Sequence, residues 1–197
     1  MKRLIYICLS LLVVQASAQE FDKNIASART SYGSGDLENS RFAMEQMLRD
    51  LDLAIGNEIL KMLPTSLASL NSIPTEDNLS GGTGAGLFVH RSYGVDPKRA
   101  SLEIINNSPM INSLQVILTM PMMGGAMSDP NQKQVKIQGY KSLLNKNLNT
   151  DTGKTSFDLQ IPMNNTLVTL HIDDSTEAEI TTAANSLPLS KIVALAQ

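Results

Sequence analysis

Apolar residues recur at helical spacing through the first third of the chain. Phe21, Ile25, Ala28 and Tyr32 share one face of a predicted helix, and residues 33–35 interrupt it. Asp36 is then placed as the N-cap of a longer second helix, which Pro64 terminates. One apolar stripe runs along this second helix through Leu37, Met44, Leu48, Leu51, Ile55, Ile59 and Met62. The pattern predicts a helical hairpin over residues 19–63.

The spacing of apolar residues changes from a helical period to a period of two after residue 86. Alternation predicts strands over residues 87–93, 100–105, 135–144, 156–161 and 166–172. Helices are predicted from Ser108, over residues 177–185 and over residues 189–196. One polar face on each strand indicates an antiparallel sheet that is covered on one side.

The predicted fold is therefore α+β. It has an N-terminal helical hairpin followed by a mainly antiparallel sheet of about five strands, with helices covering one face. The predicted division of the chain is a signal peptide over residues 1–18, the helical hairpin over 19–63, a linker or loop over 64–86 and an α+β domain over 87–197.

The first eighteen residues have the three zones of a secretory signal. Lys2 and Arg3 precede an apolar run over residues 4–14, and small residues follow, so cleavage is predicted between Ala18 and Gln19. The apolar run is shorter than the roughly 20 residues of a membrane-spanning helix. A lipoprotein would need a cysteine where Gln19 stands. The prediction is a periplasmic or secreted protein, soluble after cleavage and without a stable membrane anchor.

The charge and the cysteine content of the predicted mature chain exclude several kinds of partner and site. Removing Lys2 and Arg3 leaves 14 basic and 19 acidic residues, a net charge of −5, which disfavours nucleic acid as a partner. The single cysteine, Cys8, lies in the predicted signal. Disulfides, thiolate metal sites and a cysteine nucleophile are therefore excluded for the predicted mature chain.

The hairpin resembles one helical pair of a tetratricopeptide repeat over about 35 residues. The matching positions are Ala28, Tyr32, Gly35, Asp36, Leu37 and Ala43, whereas Ser40 stands where the repeat usually has alanine. There is no second copy of the pattern, so a single hairpin is expected and not a repeat array. The order of elements resembles small uncharacterised exported proteins of Gram-negative bacteria, some of which have a Mog1/PsbP-like α+β domain.

Familiar catalytic patterns do not fit this sequence. The glycine-rich run over residues 80–86 is followed by Leu87, where a phosphate-binding loop needs lysine. There is no Gly-x-Ser-x-Gly elbow, and the two histidines, His90 and His171, are expected at the surface or at a sheet edge. Four acids, Asp173, Asp174, Glu177 and Glu179, lie where a strand-to-helix turn needs caps. No catalytic residue is assigned.

A methionine run is the feature that folding explains least well. Met120, Met122, Met123 and Met127 fall within eight residues of a predicted loop. Thioethers are soft ligands that suit Cu(I), and His90, His171 or Met163 would complete such a site if the fold brought them close. The alternatives are adaptable core packing or an apolar contact surface for a partner or ligand.

The sequence thus predicts a non-enzymatic envelope protein that binds a protein partner or an apolar ligand. The unpartnered stripe of the second helix and the exposed sheet face are its two candidate binding surfaces. A methionine-based Cu(I)-binding periplasmic protein is the alternative, and a hydrolase built on scattered carboxylates is a third. The hydrolase requires two carboxylates, or a histidine and a carboxylate, to converge in one pocket.

Overall fold

A computed structural model describes residues 20–81, 86–119 and 129–196 and shows an α+β protein. The predicted signal residues, including Ala18 and Gln19, and the four methionines of the run lie outside these ranges. Within them, no helix has the length and hydropathy needed to cross a membrane.

The predicted N-terminal hairpin is present. Residues 20–33 form helix α1, and α2 spans Leu37–Met62. Asp36 caps α2, as predicted, by accepting a hydrogen bond from the backbone N–H of Asn39. The two helices meet at small residues, where the buried Ser40 hydroxyl donates to the carbonyl of Ala28 at 3.1 Å. The Ser40 hydroxyl therefore connects α2 to α1 by a hydrogen bond.

Two antiparallel meanders form one seven-stranded sheet. Its strands are β3 (Asn78–Ser80), β4 (Phe88–Val95), β5 (Lys98–Asn106), β6 (Gln132–Ile137), β7 (Tyr140–Leu148), β8 (Thr155–Met163) and β9 (Thr166–Ile172). Their order in the sheet is β3-β4-β5-β9-β8-β7-β6. A two-stranded sheet of β1 (Ser66–Leu67) and β2 (Leu70–Asn71) precedes it. The remaining helices are α3 (Met110–Thr119), α4 (Glu177–Asn185) and α5 (Leu189–Leu195).

The predicted count of about five strands was wrong. The predicted strand over residues 135–144 is two strands, which reverse at Gln138 and Gly139 with φ angles of 47° and 95°. The Asn-Gly and Asp-Gly pairs typical of such turns are absent here, so the reversal has a weak sequence signature. Strands β1, β2 and β3, of two or three residues each, lie in the predicted linker and are too short to show a period.

Helices cover both faces of the sheet, which corrects the prediction of one covered face. The main core packs the C-terminal part of α2, with α4 and α5, against one face. On the other face α3 buries Ile111, Leu114 and Leu118 against Leu143 and Leu167. The α3 helix contacts β7, β8 and β9 on that face. Phe88 and Ile105 lie on the same face, together with polar residues such as His90, Glu103 and His171.

Gly56 allows α2 to approach the sheet closely. A Cβ atom at this position would lie 2.0 Å from a methyl carbon of Leu79 on β3 and 3.0 Å from one of Leu87. Glycine inside a helix usually lowers its stability, and here the close packing explains its presence. Gly56 lies between the exposed N-terminal part of α2 and the C-terminal part that packs against the sheet.

Candidate functional site

The polar face of the sheet carries both histidines. Cross-strand pairing aligns Ser101, His171 and Asp158 in one row over β5, β9 and β8. His90 and Glu103 occupy the next row on β4 and β5. Antiparallel partners share a face, so these side chains lie on the face that α3 only partly covers.

His171 lies between two carboxylates. Its Nδ1 is 2.6 Å from an Asp158 oxygen, and its Nε2 is 3.1 Å from an oxygen of Asp173, just after β9. The second Asp158 oxygen accepts a hydrogen bond from the Asn147 side chain on β7. About a third of the imidazole is exposed. The cluster joins β7, β8, β9 and the start of the turn into α4.

Both imidazole nitrogens can donate only when the ring is protonated. Hydrogen bonding to Asp158, opposed by partial burial and reinforced by Asp173, raises the pKa of His171 to about 9. The same hydrogen bond from His171 lowers the pKa of Asp158. At neutral pH the cluster is therefore a cation held between two anions, and the ring offers no lone pair to act as a general base.

We expect this cluster to make folding stability depend on pH. The pKa of His171 is raised in the folded state, so its stabilising contribution is complete below about pH 6.5 and is lost as pH rises through about 9. A displacement of this size corresponds to about 3 kcal/mol, and partial exposure of the ring reduces the expected loss to about 1–2 kcal/mol. Urea unfolding between pH 6 and 10 should show this decline.

His171→Gln should remove the decline, whereas His90→Gln on the same face should retain it. An NMR titration of His171 should give a midpoint near pH 9. A midpoint near 6.5, with equal pH profiles for the wild type and His171→Gln, would contradict the arrangement.

Three open clefts lie elsewhere on the described surface. One of about 500 Å³ separates the β1–β2 turn from α4, and one of about 520 Å³ lies between β2 and the β4–β5 turn. The third, of about 360 Å³, is lined by Asp173, Asp174 and Lys154. None of these three clefts is lined by a histidine.

The carboxylates in the third cleft are each held by a cation. Asp174 lies 3.1 Å from Lys154, and Asp173 contacts His171. A glycosidase uses one carboxyl group as a general acid at the scissile bond, whereas both of these carboxylates are engaged in ion pairs. Glu177 and Glu179 occupy the first turn of α4, where Glu179 completes a capping box with Thr176, as expected for residues that stabilise a helix start.

A buried ion pair lies beneath α2 on the core face of the sheet. Arg91 donates two hydrogen bonds to Asp77, at 2.9 and 2.6 Å, and one to the carbonyl of Leu60 at 2.9 Å. Its side chain is 10% exposed, and that of Asp77 is 15% exposed. Hydrogen bonding to Asp77 raises the pKa of Arg91, and burial raises the pKa of the adjacent Tyr93 to about 12. The pair connects α2, β4 and the segment before β3, and neither residue lines any of the three clefts described above.

The N-terminal half of the α2 stripe leaves four large apolar side chains exposed. We call Leu37, Met44, Leu48 and Leu51 the open strip; they are 63%, 45%, 57% and 49% exposed. Farther along the same stripe, Ile55 and Met62 are partly buried and Ile59 is fully buried against the sheet. Ile25 and Tyr32 add exposed apolar surface on α1.

Family models, curated proteins and solved structures all gave no significant match to this chain. The chemistry of its surfaces is therefore the basis for any functional proposal.

The sequence-predicted metal ligands are not brought together in the described structure. His90 and His171 lie on strands separated by β5, and Met163 is buried on the opposite, core face. In the ranges that the structure describes, no group of three or more His, Cys, Asp and Glu side chains is arranged to hold a metal ion. Cu(I) binding by Met120, Met122, Met123 and Met127 stays a prediction, because those residues lie outside these ranges.

The partners of His171 were not found from the sequence. The strands predicted over residues 156–161 and 166–172 leave residues 162–165 for the turn between them, whereas β8 and β9 reverse over Asn164 and Asn165 alone. The shorter turn places Asp158 opposite His171 and not opposite Thr169. Alternation had given the correct face, but the turn length sets the register.

Proposed function

We propose that this protein is an exported, non-enzymatic binding protein whose open strip contacts an apolar surface of another protein. One observation carries the proposal: a single apolar stripe is half packed against the sheet and half exposed. Export rests on the predicted signal over residues 1–18. The described polar clusters supply no competing catalytic arrangement.

The open strip has the properties of a contact surface. Each of its side chains would contribute roughly 1.5–3 kcal/mol if a partner fully buried it. Contiguous exposed apolar patches of this kind mark interaction sites on monomeric proteins, whereas scattered single residues do not. Successive members at spacings of three, four and seven residues form a line along the helix, which suits packing by another helix.

A protein partner fits the strip better than a small apolar ligand does. Small-molecule sites are concave and bury most of the ligand surface. The open strip follows the outside of a helix, and none of the three clefts described above includes any of its residues. The polar sheet face is a weaker candidate, because the charged groups of its His171 cluster are already paired with one another.

Site-specific photo-crosslinking tests this proposal. A photo-reactive amino acid at position 48 should capture another polypeptide in intact cells that export the chain. The matched position is Asn57, which is exposed on α2 but lies away from the strip. Adducts should form from position 48 and not from position 57, and Leu51→Lys should reduce them at least about tenfold, because a charge would enter an apolar contact.

Adducts that form equally from positions 48 and 57 would indicate non-specific contact and not binding, and would contradict the proposal. Absence of adducts from positions 44, 48 and 51 alike would have the same consequence. The mass of the adduct also identifies the partner class, which bears on the inference below.

A further inference from the structure

One pair of residues in the open strip, Met44 and Leu48, is symmetric under reversal of the helix direction. Met44 and Leu48 lie two residues on either side of Gln46, and Arg41 and Leu51 lie five residues on either side. Antiparallel packing of two α2 helices about this point places Met44 of each copy against Leu48 of the other. It also places the aliphatic stem of Arg41 along Leu51 of the other copy.

Charges beside the strip have the same reciprocal arrangement. Arg41 and Asp52 are eleven residues apart, close to three helical turns, and therefore lie on the same flank of the strip. Reversal about Gln46 brings Arg41 of one copy close to Asp52 of the other, and the two-fold axis repeats this contact. The Arg41 side chain is 83% exposed and is held on this flank by Glu45 at 2.9 Å.

The helix pairing within one chain leaves this arrangement accessible. The contact between α1 and α2 uses Ala28, Ser40 and Ala43, which are buried. The strip residues lie on an adjacent side of α2 and keep about half or more of their surface exposed. A second α2 helix can therefore pack on the strip without displacing α1.

We propose that the partner of the open strip is a second copy of this chain. The two α2 helices pack antiparallel about a two-fold axis that crosses the strip at the level of Gln46 along the helix. This inference rests on the proposed function, because it uses the same surface. A two-fold interface is closed. It therefore buries both strips and leaves no exposed strip to which further copies could add to form a filament. Apolar contacts supply the attraction, and the reciprocal charges select the antiparallel direction.

Charge reversal tests both the partner and the direction. R41D and D52R should each weaken dimerisation of the purified chain at least about tenfold, because each places like charges together at both symmetric contacts. An equimolar mixture of the two variants should recover dimerisation to within about threefold of the wild type, since opposite charges then meet at both contacts. Sedimentation velocity over a concentration series measures these constants, and Lys61→Glu, away from the strip, is the control.

Disulfide trapping gives a second readout that does not depend on Asp52, which lies against Gly81. In a Cys8→Ser background, M44C and L48C should each give little covalent dimer alone, and their mixture should give a disulfide-linked heterodimer. The two positions come within disulfide reach only in the antiparallel register. Equal trapping in the single variants and in the mixture would overturn the register.

The outcomes separate this inference from the proposed function. A wild-type chain that stays monomeric at all concentrations, while position 48 captures a different polypeptide, overturns the homodimer and leaves the binding function standing. Absence of any adduct at position 48 together with a monomer removes both. Failure of the mixed charge variants to recover dimerisation, with both variants folded by circular dichroism, also overturns the antiparallel dimer.

Discussion

Replacing Asp77 with alanine is expected to lower the free energy of unfolding by about 3–5 kcal/mol, because it leaves the Arg91 charge buried and unpaired. Arg91 donates two of its hydrogen bonds to Asp77 and is only 10% exposed. Its third contact, to the carbonyl of Leu60, cannot balance a full positive charge. Urea unfolding of the wild type and Asp77→Ala measures the difference.

The neighbouring residue provides a matched control. Glu76 pairs with Arg99, but both side chains are more than a third exposed. Glu76→Ala should therefore cost about 1 kcal/mol or less, as exposed ion pairs usually do. Asp77→Asn keeps an acceptor for Arg91 and should cost less than Asp77→Ala. Equal losses for Glu76→Ala and Asp77→Ala would show that burial does not distinguish the two pairs.

The second large expected effect is a difference in the free energy of unfolding between substitutions in the two halves of the α2 stripe. Ile59→Ala should lower the free energy of unfolding by about 2–5 kcal/mol, because Ile59 is fully buried and its truncation leaves a cavity against the sheet. Leu48→Ala removes a side chain of similar size from the same stripe, yet Leu48 is mostly exposed. Its effect on the unfolding of the monomer should stay within about 0.5 kcal/mol.

The two substitutions should have the opposite order of effect on binding by the open strip. Leu48→Ala should weaken the contact made by the open strip, whereas Ile59→Ala, measured where that variant remains folded, should leave the contact unchanged. Denaturation and photo-crosslinking from position 51 together measure both properties. If Leu48→Ala destabilised the chain as much as Ile59→Ala, the strip would be part of the core and the proposed binding surface would be wrong.

Local sequence signals correctly predicted the elements whose pattern is long or capped. The helical hairpin follows from one uninterrupted stripe, the Asp36 cap and Pro64. Alternation in β5, β8 and β9 identified strands with the correct inward faces, whereas for β4 only the strand itself was predicted. The first half of strand β6 lies before the strand that was predicted over residues 135–144. Its first three residues are Gln132, Lys133 and Gln134, and edge strands carry such polar residues to avoid pairing with other chains.

Long-range partners were beyond what the sequence could predict. The Arg91–Asp77 pair joins residues fourteen apart, and Asp77 directly follows a short 3-10 helix over Pro74–Glu76, so no periodic pattern marks the contact. The second covered face depends on Leu143 and Leu167, two apolar residues at positions that alternation assigns to the polar side. Only the packing of α3 against them shows why they are apolar.

The sequence by itself determined an α+β chain with a capped, amphipathic α2 helix and with the correct inward faces of β5, β8 and β9, because helix and strand periods are local properties of neighbouring residues. Only the tertiary structure decided where that amphipathic stripe is buried. The close approach of Leu79 to Gly56 brings the C-terminal half of α2 onto the sheet, and the N-terminal half extends past it. Identical apolar chemistry thus forms core at Ile59 and exposed surface at Leu48, because burial depends on which distant residues reach each position.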